Sequence, residues 1–529
     1  MPTYAAPGVY IEEVPSAQKV LSAAATAIAA FVGFTERAPT DDLARDPDGT
    51  MPRLVTSWTQ FEKLFGSFAP KCMLPLAVYG YFQNGGTVAY IVRIPNSTPA
   101  GAPSTIALPA ADRVLGKPIT VSSVHNDADL SVQISRADGG NDDAADGPNP
   151  FNLSVVKGGK TVESFDGLTL APGETNAETV VNAQSKQVTV KIDLDKSVDL
   201  TSITELLKGG VFPLEKVAPT AVAVNGRKFA GSESARTGIN GLSIADNVTM
   251  VIVPDLVTAC TDPDGDPEKF NYGLFKSVQI SLIAHCEEHK NRLAILDSPP
   301  NMTPQKMLEW KTETAMYDSA FAALYYPHIK IDNPLGTNGN SEILIPPSGH
   351  IAGVWARTDE SRGVWKAPAN DTIRGCLNVE FEITKADQSL LNPEGINCIR
   401  PFGSRGIRIW GARTLSTDTD WRYINVRRLF NMVESTIMDG TQWAVFEPND
   451  VRLWEGVNRT LTGFLDGLWK AGALFGTSAD QAYYVKCDAE TNPPASIDDG
   501  RLVVEVGLAP VKPAEFVIFR ISQHKQVAG

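Results

Sequence analysis

The sequence predicts an α+β multidomain chain: a mixed α/β body, an inserted β-rich domain, and a strand-like arm at each end. Three observations carry this. First, 529 residues exceed what one hydrophobic core sustains, so roughly two to four domains are expected. Second, composition shifts over 96–235 to Ser, Thr, Asp, Gly and Val with few aromatics, and short alternating runs such as Gln187–Ile192 recur there. Third, both ends carry a β-prone run fenced by prolines, which fix φ and cannot donate to a ladder.

The N-terminal arm, residues 1–20, holds Val9, Tyr10, Ile11, Glu12, Glu13 and Val14 between Pro7 and Pro15. The C-terminal arm, 511–529, holds Phe516, Val517, Ile518, Phe519, Arg520 and Ile521 after Pro510 and Pro513. Such segments add to sheet edges, either of their own chain or of a neighbour. Leu21–Phe34 is apolar but only fourteen residues long, too short to span a bilayer as a helix. It lacks a basic leader, so it reads as a buried strand or helix and not as a secretory signal.

Residues 21–95 with 236–365 read as an α/β domain. Thr56–Gly66 has the pattern of a helix stopped by glycine, Leu74–Phe82 is helical, and Asn84-Gly85-Gly86 turns into a strand over Thr87–Ile94. Val248–Val253 and Arg292–Asp297 read as strands around a helix from Phe270 to Lys290, which suggests a partly parallel sheet. Residues 96–235 form the inserted domain, on a surface loop. Residues 366–510 read as a C-terminal α+β domain, with strands at Trp421–Val426, Gln442–Phe446, Tyr483–Cys487 and Leu502–Leu508 and a helix over Arg427–Met438. A second helix follows Asp450, its stripe of Leu453, Val457, Leu461, Phe464, Leu465, Leu468 and Trp469 at helical spacing.

Chemistry is sparsely written. A net charge of −14 argues against coating nucleic acid, although Arg422, Arg427 and Arg428 mark a local basic patch. Six scattered cysteines without a C-x-x-C pair read as reduced thiols. There is no P-loop and no G-x-S-x-G elbow. Asp262–Pro267 alternates carboxylates but lacks the Gly spacing and closing Glu of a calcium loop. His285-Cys286-Glu287-Glu288-His289 matches H-x-x-E-H, so zinc on His285 and His289 with Glu288 as base is the alternative, hydrolytic reading. The pentapeptide sits at the last turn of a predicted helix, where His and Lys face the negative helix end. With no third ligand in sight, no catalytic residue, metal site or cofactor is assigned.

The last third resembles the contractile tail sheath family. The carrying segments are Pro401–Leu415, Tyr423–Arg428, Gln442–Asn449, Leu468–Gly476, Lys486–Asp488, Thr491–Pro493 and Pro513–Arg520, with Pro7–Val14, Asn84–Arg93, Ala352–Asp359 and Gly363–Asn370 upstream. The resemblance spans nearly the whole chain outside about 100–235. It implies a non-enzymatic subunit without cofactors that stacks as six-membered rings around an inner tube, beside baseplate and terminal cap proteins. It implies that both arms pair with sheets of neighbouring subunits, and that contraction drives the tube through a target envelope. Neither nucleic acid nor direct membrane insertion belongs to this picture. Assembly is expected in the bacterial cytoplasm, with release as part of a phage-like particle. Phage tails, R-type bacteriocins and injection systems all share such sheaths. The resemblance places the C-terminal domain inward, which makes Arg452, Arg459 and Lys470 candidate contacts to the inner tube.

Overall fold

The structure, a computed structural model, describes residues 21–39, 45, 46, 48–95, 105–107, 119–123, 130–136, 150–157, 159–170, 172–192, 210–214, 224–262, 266–336 and 341–520. The chain divides into two compact units, one of residues 1–35, 40–94 and 225–529, the other of 36–39 and 95–224.

The first unit is built on an eight-stranded sheet. Its strands are β1 (Ile28–Gly33), β2 (Arg53–Val55), β3 (Val88–Arg93), β4 (Met250–Ile252), β5 (Leu293–Asp297), β6 (Ala322–Tyr326), β7 (Ile396–Pro401) and β8 (Ile407–Trp410), in the order β8-β7-β6-β5-β4-β1-β3-β2. The six inner strands run parallel, with Phe31 opposite Ile91 and Leu296 opposite Leu324. The two edge strands are antiparallel. Parallel strands are covered on both faces, so they read as unbroken apolar runs, and β4, β5 and β6 are buried at every position. β7 and β8 lie within 366–510, so that stretch shares backbone pairing with the earlier one.

Six longer helices flank or follow the sheet. α1 (Trp58–Phe65) starts where Ser57 accepts from the Gln60 N–H and stops at Gly66, φ 86°. α2 (Leu74–Asn84) ends at Gly85 in the left-handed region. α3 (Tyr272–His289) is capped by Asn271. α4 (Ser348–Arg362) packs on α2 with almost no spacing. A methyl group on Gly349 would lie 2.5 Å from Ala77 Cα, one on Gly353 2.5 Å from Tyr81 O, and one on Gly80 2.1 Å from the His350 ring. α5 (Ile424–Gly440) and α6 (Val451–Lys470) come last, and Asp450 caps α6 through the Arg452 and Leu453 N–H groups. A two-stranded antiparallel ribbon pairs Tyr483–Lys486 with Glu505–Leu508. Its Val485 and Val506 pack beside α5 and α6 residues, and Tyr484 stays exposed.

Two expected strands are corrected. At Trp421–Val426 only Tyr423 makes a β-bridge, and α5 begins at Ile424. Ile424, Arg428, Leu429, Met432 and Val433 are buried at helical spacing, so helical burial overrides the β-branched local pattern. Gln442–Ala444 is a 3₁₀ turn, followed by extended Val445 and by Phe446 at φ 66°, joining α5 to α6. A short apolar run alone does not specify a strand.

The second unit is antiparallel. One sheet orders 210–213, 130–136, 151–157 and 160–168, and another 105–107, 119–123 and 188–192. Val132, Ile134, Leu153, Val155, Val181, Val188 and Val190 belong to its core.

Candidate functional site

The C-terminal arm leaves the body at a clamp on Glu515. Arg413 donates two hydrogen bonds to its carboxylate, Nε to Oε1 at 2.9 Å and Nη2 to Oε2 at 2.7 Å. Asn392 Nδ2 donates at 2.6 Å and the Tyr423 hydroxyl at 3.2 Å. Burial alone would raise the carboxyl, but the bonds from Arg413 and Asn392 outweigh it and hold Glu515 below the usual carboxylate range. Just before the clamp, the Phe475 N–H donates to Ala509 O and the Ala509 N–H to Ala482 O, while Asn425 Nδ2 holds Val511 O at 3.1 Å.

Past the clamp the chain is bare. Phe516, Val517, Ile518 and Phe519 are 72, 69, 80 and 84% exposed, and Arg520 is exposed too. No strand pairing forms over 514–520. Ile521 and the N-terminal candidates Val9, Tyr10, Ile11, Glu12, Glu13 and Val14 lie outside the described residues. The sequence reading missed the clamp. The available signal was Glu515 itself, a lone carboxylate in a proline-fenced apolar run. Its partner Arg413 lies 102 residues away and carried no signal of its own.

On α6 the expected apolar stripe is inward, with Leu453, Val457, Leu461, Leu465 and Leu468 buried. Arg452, Arg459 and Lys470 share the exposed face with Glu455 and Asp466. Lys470 Nζ contacts Asp466 at 2.6 Å, one helical turn away. The basic patch expected at Arg427 and Arg428 is corrected: both are buried. Arg428 forms a two-pronged ion pair with Asp359 at 2.8 and 2.5 Å, each side chain 3% exposed, and stacks over Trp355. Arg427 lies over the Trp421 ring and pairs with Glu434. Buried guanidinium groups need such partners, so adjacent arginines in sequence do not make a surface.

The H-x-x-E-H segment closes α3. His285 is buried with Nε2 3.2 Å from Arg292 Nη1, and His289 Nδ1 meets the His285 carbonyl. Burial, then the Arg292 charge, then His289 push the His285 imidazole down to about 3. A guanidinium at hydrogen-bond distance stands where a cation would have to bind. Among the described residues no group of three or more His, Cys, Asp or Glu side chains could hold a metal ion. Residues 263–265 of the acidic turn lie outside the described residues. Among the described residues no helix is long and apolar enough to cross a membrane.

Comparison with known proteins points to one family. Residues 274–415 match the phage tail sheath protein central domain, and residues 416–524 the phage tail sheath C-terminal domain. The tail sheath protein of Vibrio phage KVP40 is 28% identical over 177 residues, 33% of this chain and 26% of that protein. The chain spans between 26% and 54% of the length of three curated tail sheath relatives. Solved structures match from end to end. The helical sheath of the anti-feeding prophage (AFP) in its contracted state has a TM-score of 0.56 and 27% identity, covering 99% of this chain and 100% of that one. The PVC sheath complex of an extracellular contractile injection system, also contracted, gives 0.56 and 26%, covering 99% of each chain. With two sheath domains matched in order and whole-length likeness to solved sheaths, the chain belongs to the contractile tail sheath family.

Proposed function

We propose that this chain is the structural subunit of a contractile sheath. It stacks as six-membered rings around an inner tube, and its contraction drives the tube through a target envelope. The observation that carries this reading is the C-terminal arm: four consecutive exposed apolar side chains beyond a clamp of four hydrogen bonds. Such a run on a fixed base calls for a partner outside the chain. The ribbon of Tyr483–Lys486 and Glu505–Leu508 is the fitting acceptor, because a lone strand pair is marginal until further strands join it. Arms from neighbouring subunits, through Val9–Val14 and Phe516–Ile521, would supply those strands. A head-to-tail interface of this kind propagates into rings and helices.

The same reading makes the chain non-enzymatic and free of cofactors. Its partners are further copies, the inner tube, and baseplate and terminal cap proteins; a related chain sits in the AFP baseplate. Assembly takes place in the bacterial cytoplasm, with release in a phage-like particle. The test is direct: purified protein viewed by negative stain should form long tubes or stacked rings. A monodisperse monomer at high concentration, with zinc-dependent peptidase activity lost in His285→Ala, would reverse it.

Arg452, Arg459 and Lys470 are the proposed inner-tube contacts, Lys470 being shared with Asp466. Reversing all three to Glu should weaken co-assembly with the tube on the order of tenfold, at ~0.5 kcal/mol per exposed pair. The residual binding should also be less salt-sensitive. Unchanged binding would remove α6 from the tube interface.

A further inference from the structure

We propose that one face of α5 couples the two arms of each subunit, with Asn425 and Thr436 as positioning residues that tie the arm roots to it. This rests on the sheath reading above. Asn425, Arg428, Met432 and Thr436 follow one another at i, i+3, i+7 and i+11, a single face of the helix. That face holds the chain entering from the N-terminal arm. The Ala24 N–H donates to Thr436 Oγ1 at 2.9 Å, and Arg428 Nη2 donates to Thr26 O at 2.8 Å. Leu21 crowds Gly440, where an added methyl would lie 2.0 Å from Leu21 Cδ2. Residues 21–26 therefore run against the direction of α5, from Gly440 back to Arg428. The lengths agree: about 18 Å of helix beside about 17 Å of extended chain.

The first turn of the same face holds the other root. Asn425 Nδ2 donates to Val511 O, and Tyr423, the residue before the helix, donates to Glu515. Both arms therefore start from one rod, with about 16 Å between Asn425 and Thr436. The rod is stiffly bedded. Ile424, Val426, Leu429 and Val433 are buried, and the Arg428–Asp359 pair fixes it to α4. A pull on one root is then carried to the other with little lost in between, so a subunit displaced by one neighbour displaces the next.

Two variants test this by separating assembly from firing. Thr436→Val keeps the shape and removes the acceptor for Ala24. It should assemble extended sheaths and unfold at nearly the wild-type urea midpoint, yet contract at least fivefold more slowly when triggered by urea. Thr436→Ser, which restores the hydroxyl, should recover the wild-type rate. Contraction of Thr436→Val at the wild-type rate overturns the proposal. The second variant, Leu21→Cys with Gly440→Cys, locks the root to the helix on oxidation. If the root travels with α5, the locked sheath contracts as fast as the reduced one; if oxidation blocks contraction, the root must detach and the coupling is wrong. Should Thr436→Val fail to assemble, the crosslinked pair decides. Wild-type protein that forms no contractile tubes would instead sink the sheath reading itself.

Discussion

Deleting residues 516–529 is expected to abolish polymerisation and leave the subunit folded. Phe516–Phe519 contribute almost nothing to the body, being 69 to 84% exposed, while Glu515 and its partners remain. The urea midpoint should shift by no more than about 0.5 kcal/mol in stability, the usual range for surface changes. The concentration needed for tubes should rise by more than about 100-fold, since losing a buried aromatic anchor pair costs several kcal/mol of association. Glu515→Gln is the graded companion: it keeps the arm but weakens its grip on Arg413, and should give tubes only at raised concentration. Tubes of normal length from the truncated chain would show that the C-terminal arm is no link between subunits.

Asp255→Ala should be the most damaging single change to the fold. The carboxylate is fully buried and accepts from the backbone N–H groups of Phe34, Met73 and Leu74 at 2.7, 2.5 and 3.0 Å. It thus ties the end of β1, the start of α2 and the segment after β4 to one another. Removing it orphans three backbone donors, those of Phe34 and Leu74 buried and that of Met73 partly so, a loss of about 3–5 kcal/mol. The pH dependence has a definite sign. Burial pushes Asp255 up to about 7 against the pull of those N–H groups, while an unfolded aspartate titrates near about 3.9. The folded state therefore holds more protons between those values. The stabilisation linked to that proton is complete below about 3.9 and is lost as pH rises through 7. Burial holds the imidazoles of His285, His328 and His350 low, which opposes this trend in both proteins, so the sign is read in the difference: the stability gap between wild type and Asp255→Ala should shrink as pH rises through this window. Asp297, which burial also raises to about 7, is present in both proteins and drops out of that difference. Equal slopes in the two proteins would mean that Asp255 stays charged when folded.

The local part of this architecture was legible in the sequence. The helix cap at Asp450 and the stop at Gly66 are written within a few residues of the elements they bound. β4 and β5 announce themselves as apolar runs, and the α6 stripe predicts its buried face. What stayed hidden depends on partners far along the chain. The order of eight strands, Arg413 meeting Glu515, and Arg428 turning inward to Asp359 are all tertiary pairings. His285 looked like a ligand because its neighbour Arg292, seven residues on and beyond a turn, is invisible to a motif. The site was therefore half legible: the C-terminal run could be seen as apolar and fenced by prolines, but the clamp and helix that root it could not.

The α2–α4 contact has a mechanical consequence. Helix pairs joined by large interdigitating side chains slide by exchanging rotamers, which is the usual basis of shear between layers. Here Gly349 and Gly353 bring the backbones close, and the His350 ring fills the notch at Gly80, so little side chain remains to re-sort. A slip of one residue, about 1.5 Å, would drive His350 or Ala77 into main-chain atoms. This layer should thus be nearly incompressible and move as one block. Any large displacement of the subunit has to be absorbed elsewhere in the chain, and hydrostatic pressure should find little void to collapse between these two helices.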